Sequence, residues 1–327
     1  MNEHKGRDLP VASFGCPCGS VKEVDTIKYL RDEMTSLSYS QCGNCGLWQM
    51  IPQPTDRELA QAYSPAYYGT TRSKFIAPIA ALIKVAQRAR AHFVFRHIGK
   101  EKPEILDVGC GNAGFLLAAS KLGAVCEGTE FSSESAARAS IDTGISIHAA
   151  NLGEIRKLGR RYDAISMWHV IEHLRDPEGD VAHIAALLKP GGRLFVAAPN
   201  HASWQARFFK ERWFHLDPPR HLWGFCPSSL RSMLGRHGLE QLCESTASLE
   251  HNPFGIVQSV LNSCGFPHNR AYETLKGTPY SLTTKLTDLV CVAGLTLPSI
   301  MTATLESAFG CGGVFCLVAR KANNVQG

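Results

Sequence analysis

Three groups of residues in this chain have the types and spacing to do chemistry. The first is Cys16-Pro17-Cys18 with Cys42-Gly43-Asn44-Cys45, two close cysteine pairs separated by a stretch rich in Val, Ile, Tyr and Thr. Four thiolates gathered by a hairpin suit one tetrahedral Zn²⁺, and with every coordination position taken such a site is structural. The first pair is spaced Cys-x-Cys where Cys-x-x-Cys is commoner, and free thiols in a reduced protein are the alternative. The second group is Asp107-Val108-Gly109-Cys110-Gly111-Asn112-Ala113-Gly114-Phe115. A short apolar run ends in an acid, and Gly-x-Gly-x-x-Gly then opens into a helix start. Glycines let a backbone approach a ligand closely, and helix amino termini present unpaired N–H groups. Taken alone, that pattern fits NAD enzymes equally well. The third group is His169-Val170-Ile171-Glu172-His173 together with Trp213-Phe214-His215-Leu216-Asp217-Pro218-Pro219-Arg220-His221. Histidine titrates near neutral pH, so His173, His215 and His221 suit proton transfer, with Glu172, Asp217 and Arg220 beside them. For any one of these histidines the plainer role is a loop side chain that holds its turn.

Stepping outward to the elements, Glu104–Val108 reads as a buried strand and Phe115 onward as a helix. Ala124–Glu130, Ile145–His148 and Tyr162–Trp168 read as three further strands, and Ser132 or Ser133 as a helix cap. Leu187-Leu188-Lys189-Pro190-Gly191-Gly192 marks a helix-to-strand corner leading into a fifth strand that ends at Pro199-Asn200. Pro227–Gly238 is a helix, Leu239–Ser245 a sixth strand and Gly313–Ala319 the last. Ahead of these lie an exit strand over Leu47–Pro54, a short helix from Thr55 and an aromatic turn from Tyr63 to Tyr68. Lys74–Ile98 reads as one helix interrupted near Pro78, with an apolar side and a basic one (Lys84, Arg88, Arg90, Arg96). It is either a lid on the core or a helix that touches an anionic membrane surface.

The segment from Glu104 to Phe115 resembles motif I of the class I S-adenosylmethionine (SAM) methyltransferases, and the resemblance runs on. Tyr162 to Pro177 resembles motif IV of the subset that includes ubiquinone-pathway O-methyltransferases and sugar methyltransferases, and the LKPGG corner recurs in the same family. The resemblance covers residues 103 to 245 strongly and the cysteine module, 16 to 54, moderately. It implies an α/β fold: a Rossmann-like seven-stranded sheet with helices on both faces, plus a small N-terminal zinc ribbon and a helical insert before the last strand. The division it implies is a zinc-ribbon-like module over 1–60, a linking helix or lid over 61–102, and a SAM-dependent methyltransferase domain over 103–327 with the insert at 246–312. For SAM binding it implies Asp107, Gly109, Cys110, Gly111, Gly114, Phe115, Glu130, Phe131, Asn151, Leu152, Trp168 and His169. Glu130, about twenty residues past the glycines, takes the ribose hydroxyls, and Asn151 stands where an acid or amide meets the adenine amino group. Catalysis falls to His173, Glu172, His215, Asp217 and His221, and structural Zn²⁺ to Cys16, Cys18, Cys42 and Cys45. His169-x-x-Glu172-His173 is also similar to the Glu-x-x-Glu-His arrangement that holds a divalent ion in small-RNA 2′-O-methyltransferases, with His in place of the first Glu.

SAM brings its own activated methyl, so the protein chiefly aligns acceptor, methyl and sulfur and supplies a base for an oxygen acceptor. The expected activity is therefore methyl transfer to an oxygen of a small-molecule, saccharide or lipid-linked acceptor. The alternative is an RNA methyltransferase gripping nucleic acid through the ribbon. Against it stand a net charge of only +5 over 327 residues and few cations near the knuckles, Lys22, Lys28 and Arg31. A SAM-fold scaffold and an NAD dehydrogenase are two further readings that the Glu-His motifs disfavour. The polar start, Met1 to Asp8, carries no secretory pattern, and twelve cysteines suit a reducing compartment. A cytoplasmic location is expected, with peripheral contact at the inner membrane face as a second setting. About sixty-five residues separate the last two strands, far beyond an ordinary loop. Uncharged from Leu289 to Leu305 around Pro298, this insert is a helical cap over the acceptor pocket, a dimer contact, or an interfacial hairpin.

Overall fold

The computed structural model describes residues 15–20, 23–30, 36–63 and 77–323. The expected aromatic turn beyond Tyr63, the first residues of the Lys74–Ile98 helix, Met1–Asp8, Lys22 and Arg31 lie outside the described residues.

A seven-stranded sheet carries the fold. Its strands are β4 (Glu104–Val108), β5 (Val125–Thr129), β6 (Ser146–His148), β7 (Tyr162–Trp168), β8 (Leu188–Pro199), β10 (Leu239–Ser245) and β11 (Val314–Lys321). They lie in the order β10-β11-β8-β7-β4-β5-β6. β4 through β8 are mutually parallel, whereas β11 runs antiparallel to both β8 and β10. Residues of period two divide cleanly between two cores. Leu106, Ile165, Met167, Leu194, Val196 and Leu317 point to one face, and Ile105, Ala164, Phe195 and Val318 to the other. Both faces are buried, so these strands read as unbroken apolar runs; each fully buried aliphatic contributes roughly 1.5–3 kcal/mol.

The second face is covered by α2 (Ala77–Ile98), α3 (Gly114–Ser120) and α4 (Ser133–Thr143), through Ala91, Val94, Leu116, Ala119 and Ala139. The first is covered by α5 (Leu152–Lys157), α6 (Pro177–Leu187) and α8 (Pro227–Arg236), through Ile155, Ile184 and Leu230. Helix starts follow their caps: Ser132 accepts from Ser135 N–H and Asp176 from Gly179 N–H. The described part of the linking helix is unbroken, because Pro78 falls in its first turn, where a missing N–H costs nothing.

The cysteine module forms a second sheet of β1 (Glu23–Leu30), β2 (Ser36–Cys42), β3 (Trp48–Ile51) and a strand from far down the chain, β9 (Trp223–Gly224). α1 (Asp56–Ala62) follows, with Thr55 and Glu58 closing a capping box. Cys16, Cys42 and Leu47 share a core with Leu222, Trp223 and Phe225. The module is therefore packed into the larger sheet's structure, and β9 completes its hairpin.

Between β10 and β11 the insert is helical: α9 (Asn252–Ser263), α10 (Arg270–Leu275) and α11 (Leu282–Ala308). A short α7 (Trp204–Phe209) follows β8.

Candidate active site

Strand β4 ends at Val108, and the chain turns through Gly109 (φ +66°) and Gly111 (φ +56°), both in the left-handed region that glycine enters without strain. A Cβ on Gly109 would lie 2.7 Å from Val170 Cγ2. The glycine turn therefore touches the loop leaving β7, and the two segments share one carboxyl-end crevice of the sheet. Glu130, at the end of β5, is buried and holds this turn. Its Oε2 accepts from Gly111 N–H at 2.8 Å and its Oε1 from Phe131 N–H at 2.9 Å. Asp107 is buried beneath the turn and accepts from the Ser166 hydroxyl at 2.6 Å. Burial pushes its pKa up to about 7 against the pull of Ser166 and Arg90.

The remaining residues expected to bind the nucleoside divide into lining and support. Trp168 meets Phe115 edge-on at 5.6 Å and lies under the Arg90 guanidinium, with its indole N–H buried and without a partner. Cys110 and Gly114 complete the turn, and Gln87 of α2 presses on Gly114. Leu152 is buried in the core of the first face. The Phe131 ring stands in solvent, while its backbone serves Glu130. Asn151 is the cap of α5: its Oδ1 accepts from Glu154 N–H at 3.0 Å. Sequence reading alone did not find this structural use, although the Glu three residues on signals a capping box. An amide oxygen has a second lone pair, so capping leaves one acceptor site on Asn151.

Past β7, His169 adopts φ +59° and Ile171–His173 forms a single 3₁₀ turn. This tight geometry turns Glu172 inward to 1% exposure, and neither carboxylate oxygen has a hydrogen-bond partner. His169 Nδ1 stands 3.5 Å from Oε1. Burial alone would push the Glu172 carboxyl up, but the surrounding His169, His173 and His221 outweigh it and hold it at about 2. His173 Nδ1 lies 2.9 Å from Arg220 O and 3.0 Å from the Tyr63 hydroxyl. His221 Nδ1 lies 2.8 Å from His215 O. A carbonyl only accepts, so both Nδ1 atoms carry hydrogen, which leaves Nε2 as the nitrogen that holds the lone pair in a neutral ring. The two rings meet edge-on at 4.7 Å. A carboxylate oxygen of Glu172 and one nitrogen each of His173 and His221 all lie within 4.8 Å of one another.

The loop that delivers His221 is tied to itself through Asp217. Asp217 takes φ +41° before a cis Pro218–Pro219 bond, and it binds Arg220 by two hydrogen bonds, 2.9 and 2.5 Å long. Burial pushes the Asp217 carboxyl up, but Arg220 and His221 hold it below the usual range. Burial pulls His221 down to about 4 and His215 to about 3, so both are neutral imidazoles. Of the residues expected to do chemistry, Glu172, His173 and His221 converge, and Asp217 adjoins them at 3.8 Å from His221 Nε2. The His215 ring is instead buried among Trp213 and Phe214, and its carbonyl serves His221.

Three contacts escaped sequence reading. Tyr63 reaches His173, the His251 ring of the insert lies 4.3 Å from the His169 ring, and Tyr39 of β2 donates to Leu216 O (3.1 Å) and His221 O (2.5 Å). Each joins residues at least 82 positions apart, beyond any local signal. The four Sγ atoms of Cys16, Cys18, Cys42 and Cys45 also cluster within 4.8 Å, with Cys16–Cys45 at 3.4 Å and Cys18–Cys42 at 3.6 Å. Tetrahedral thiolates about 2.3 Å from one Zn²⁺ stand roughly 3.8 Å apart, so this set fits the ion.

A family model described as "Methyltransferase domain" matches residues 80–244. A ubiquinone biosynthesis O-methyltransferase of Coxiella burnetii is 29% identical over 121 residues, 34% of this chain and 50% of that protein. One from Chelativorans sp. is 32% identical over 120 residues, 33% of this chain and 47% of that protein. The chain spans about half the length of the curated relatives it matches. A candidate sarcosine dimethylglycine methyltransferase from Galdieria sulphuraria is similar in structure, with a TM-score of 0.52 at 15% identity, covering 81% of this chain and 99% of that one. That likeness is one of fold.

Proposed function

This chain belongs to the methyltransferase-domain family, and from that premise we propose that it transfers the methyl group of SAM to an oxygen of a small-molecule, saccharide or lipid-linked acceptor. The observation that carries this reading is Glu130, buried at the end of β5 with its carboxylate on the Gly111 N–H. An acid held there meets a ribose, and left-handed glycines keep Cβ atoms away from the nucleoside. The unpartnered Trp168 indole N–H in the same crevice fits a polar ligand. SAM supplies the electrophilic methyl on its sulfonium. The protein's residues do the rest. His173, fixed by Arg220 O, points a basic Nε2 at an acceptor hydroxyl, and the Glu172 carboxylate steadies the imidazolium that forms. An acceptor oxygen is favoured because nitrogen and sulfur acceptors need less help with a proton, and the similar ubiquinone biosynthesis O-methyltransferases are consistent with it. Cys16, Cys18, Cys42 and Cys45 hold a structural Zn²⁺ in the same proposal.

Calorimetry with S-adenosylhomocysteine tests it. Glu130→Ala should weaken binding at least about tenfold, and His173→Gln should leave binding intact while turnover falls by about 10²–10⁴-fold. Unaltered binding in the first variant, or wild-type turnover in the second, overturns those assignments. A second reading is favoured by one observation, the two unpartnered oxygens of buried Glu172. Glu172 with one ring nitrogen each of His173 and His221 is a donor set for a divalent cation. Zinc-loaded protein that takes up one further Mn²⁺, lost in Glu172→Gln, selects the cation; no uptake selects the base.

A further inference from the structure

Helix α11 is turned inside out. Its buried positions are Asp288, Ser299, Ala303 and Glu306. Its outward stripe is Leu282, Leu286, Val290, Leu297, Met301 and Leu305, exposed by 53% to 72%. These positions recur every four or seven residues, so they form one ridge along a helix about 40 Å long. The inward charges are satisfied by the protein: Asp288 accepts from Arg270 Nε at 2.9 Å and from the Thr274 hydroxyl at 2.6 Å, and Glu306 from the Gln205 amide at 2.8 Å. The remaining charged residue of the helix, Lys285, is half-buried. Four threonine hydroxyls on the helix are self-contained as well. Thr287, Thr296, Thr302 and Thr304 each donate to the carbonyl four residues back, at 2.6 to 3.0 Å. The outer face thus asks almost nothing of water.

We propose that this face seats the protein on an anionic lipid bilayer. Charge at the ridge's end selects that occupant. Phe309, just past α11, packs on Trp204 at 5.5 Å, and Phe208 of the same short α7 is 80% exposed. Arg207, Lys210 and Arg212 are exposed in the same stretch of chain, with Glu211 the one acid among them. Aromatic rings and cations flanking an apolar helix face suit the headgroup layer of an acidic membrane. A second copy of this chain, itself at net +5, brings the same excess of positive charge to the rim. The helix lies flat on the surface and does not cross. Its inner side packs Cys291, Val292 and Leu295 against Val257 and Leu261 of α9, and polar ties at Asp288 and Glu306 hold it near both ends. Crossing would carry those two acids into hydrocarbon.

Flotation with phosphatidylcholine vesicles, with and without phosphatidylglycerol, tests the proposal without reference to turnover. The wild-type protein should float with the acidic vesicles and lose that binding at high salt. Each cation near an acidic surface is worth about fivefold, so Arg207→Gln with Lys210→Gln and Arg212→Gln should weaken binding roughly a hundredfold. Leu297→Glu with Met301→Glu should abolish it while S-adenosylhomocysteine binding and the melting temperature hold, since both side chains face outward. A wild-type protein that stays down, or a double variant that floats as before, overturns the proposal. Dimerisation in vesicle-free buffer that the double variant removes, without flotation, overturns it in favour of a second copy.

Discussion

Asp107 has a buried carboxyl whose neutral form is favoured in the folded chain, and its consequence for stability has a definite sign. Unfolded, it ionises near 3.9; folded, desolvation has raised it to about 7. Between those values the native state binds more protons than the unfolded one, so stability falls as pH rises through that window and levels off above it. Asp107→Asn removes the ionisation. Its unfolding free energy relative to that of the wild type, measured by denaturation at each pH, should rise from pH 4 to pH 8 by at most about 4 kcal/mol. A margin that stays constant over that range would show that Asp107 ionises freely. Glu172 is the opposite case at the same crevice, a buried acid whose carboxyl is drawn down to about 2, first by His169 and then by His173. One site thus holds two buried carboxyls of different charge state, set by their neighbours.

At the scale of elements, the strands β2 and β3 support the loop that carries His221. Met50 N–H donates to Leu222 O, Leu222 N–H to Glu172 O, and the fully buried Tyr39 hydroxyl to Leu216 O and His221 O. The hydroxyl's one hydrogen is shared between those carbonyls, so Tyr39→Phe removes a single buried donor, a loss of about 1–3 kcal/mol. Part of that loss appears as mobility of His221. Turnover should therefore drop about tenfold or more while S-adenosylhomocysteine affinity stays the same, because the glycine turn is untouched. Equal losses in both would mean a general loss of fold rather than a positioning role. The insert supports the site from the other side, with His251 against His169 and Phe254 and Tyr272 against Phe214.

For the whole molecule, the cysteine cluster and the seven-stranded sheet are one packed body, joined by the β3–β9 pairing and by Cys16, Cys42 and Leu47 beside Trp223 and Phe225. Stripping the proposed Zn²⁺ should lower the melting temperature of the entire chain in one cooperative transition. A separate low-temperature transition for the module would contradict that coupling. Much of this body was legible in advance. Asp107 and the glycines, Glu130, the motif running to Glu172 and His173, and the two cysteine pairs each stand within one strand–turn–helix or hairpin, where period and turn chemistry are local. Those signals specified the sheet, the crevice and the proposed metal ligands. Tertiary structure decided which histidines converge: His221 was brought beside Glu172 and His215 was turned into the core. It also decided that Tyr39, Tyr63 and His251 attend the site, and that α11 shows its apolar side outward. Such outcomes depend on contacts between distant segments and on which face of a helix finds a neighbour, and no local pattern of residue types records either.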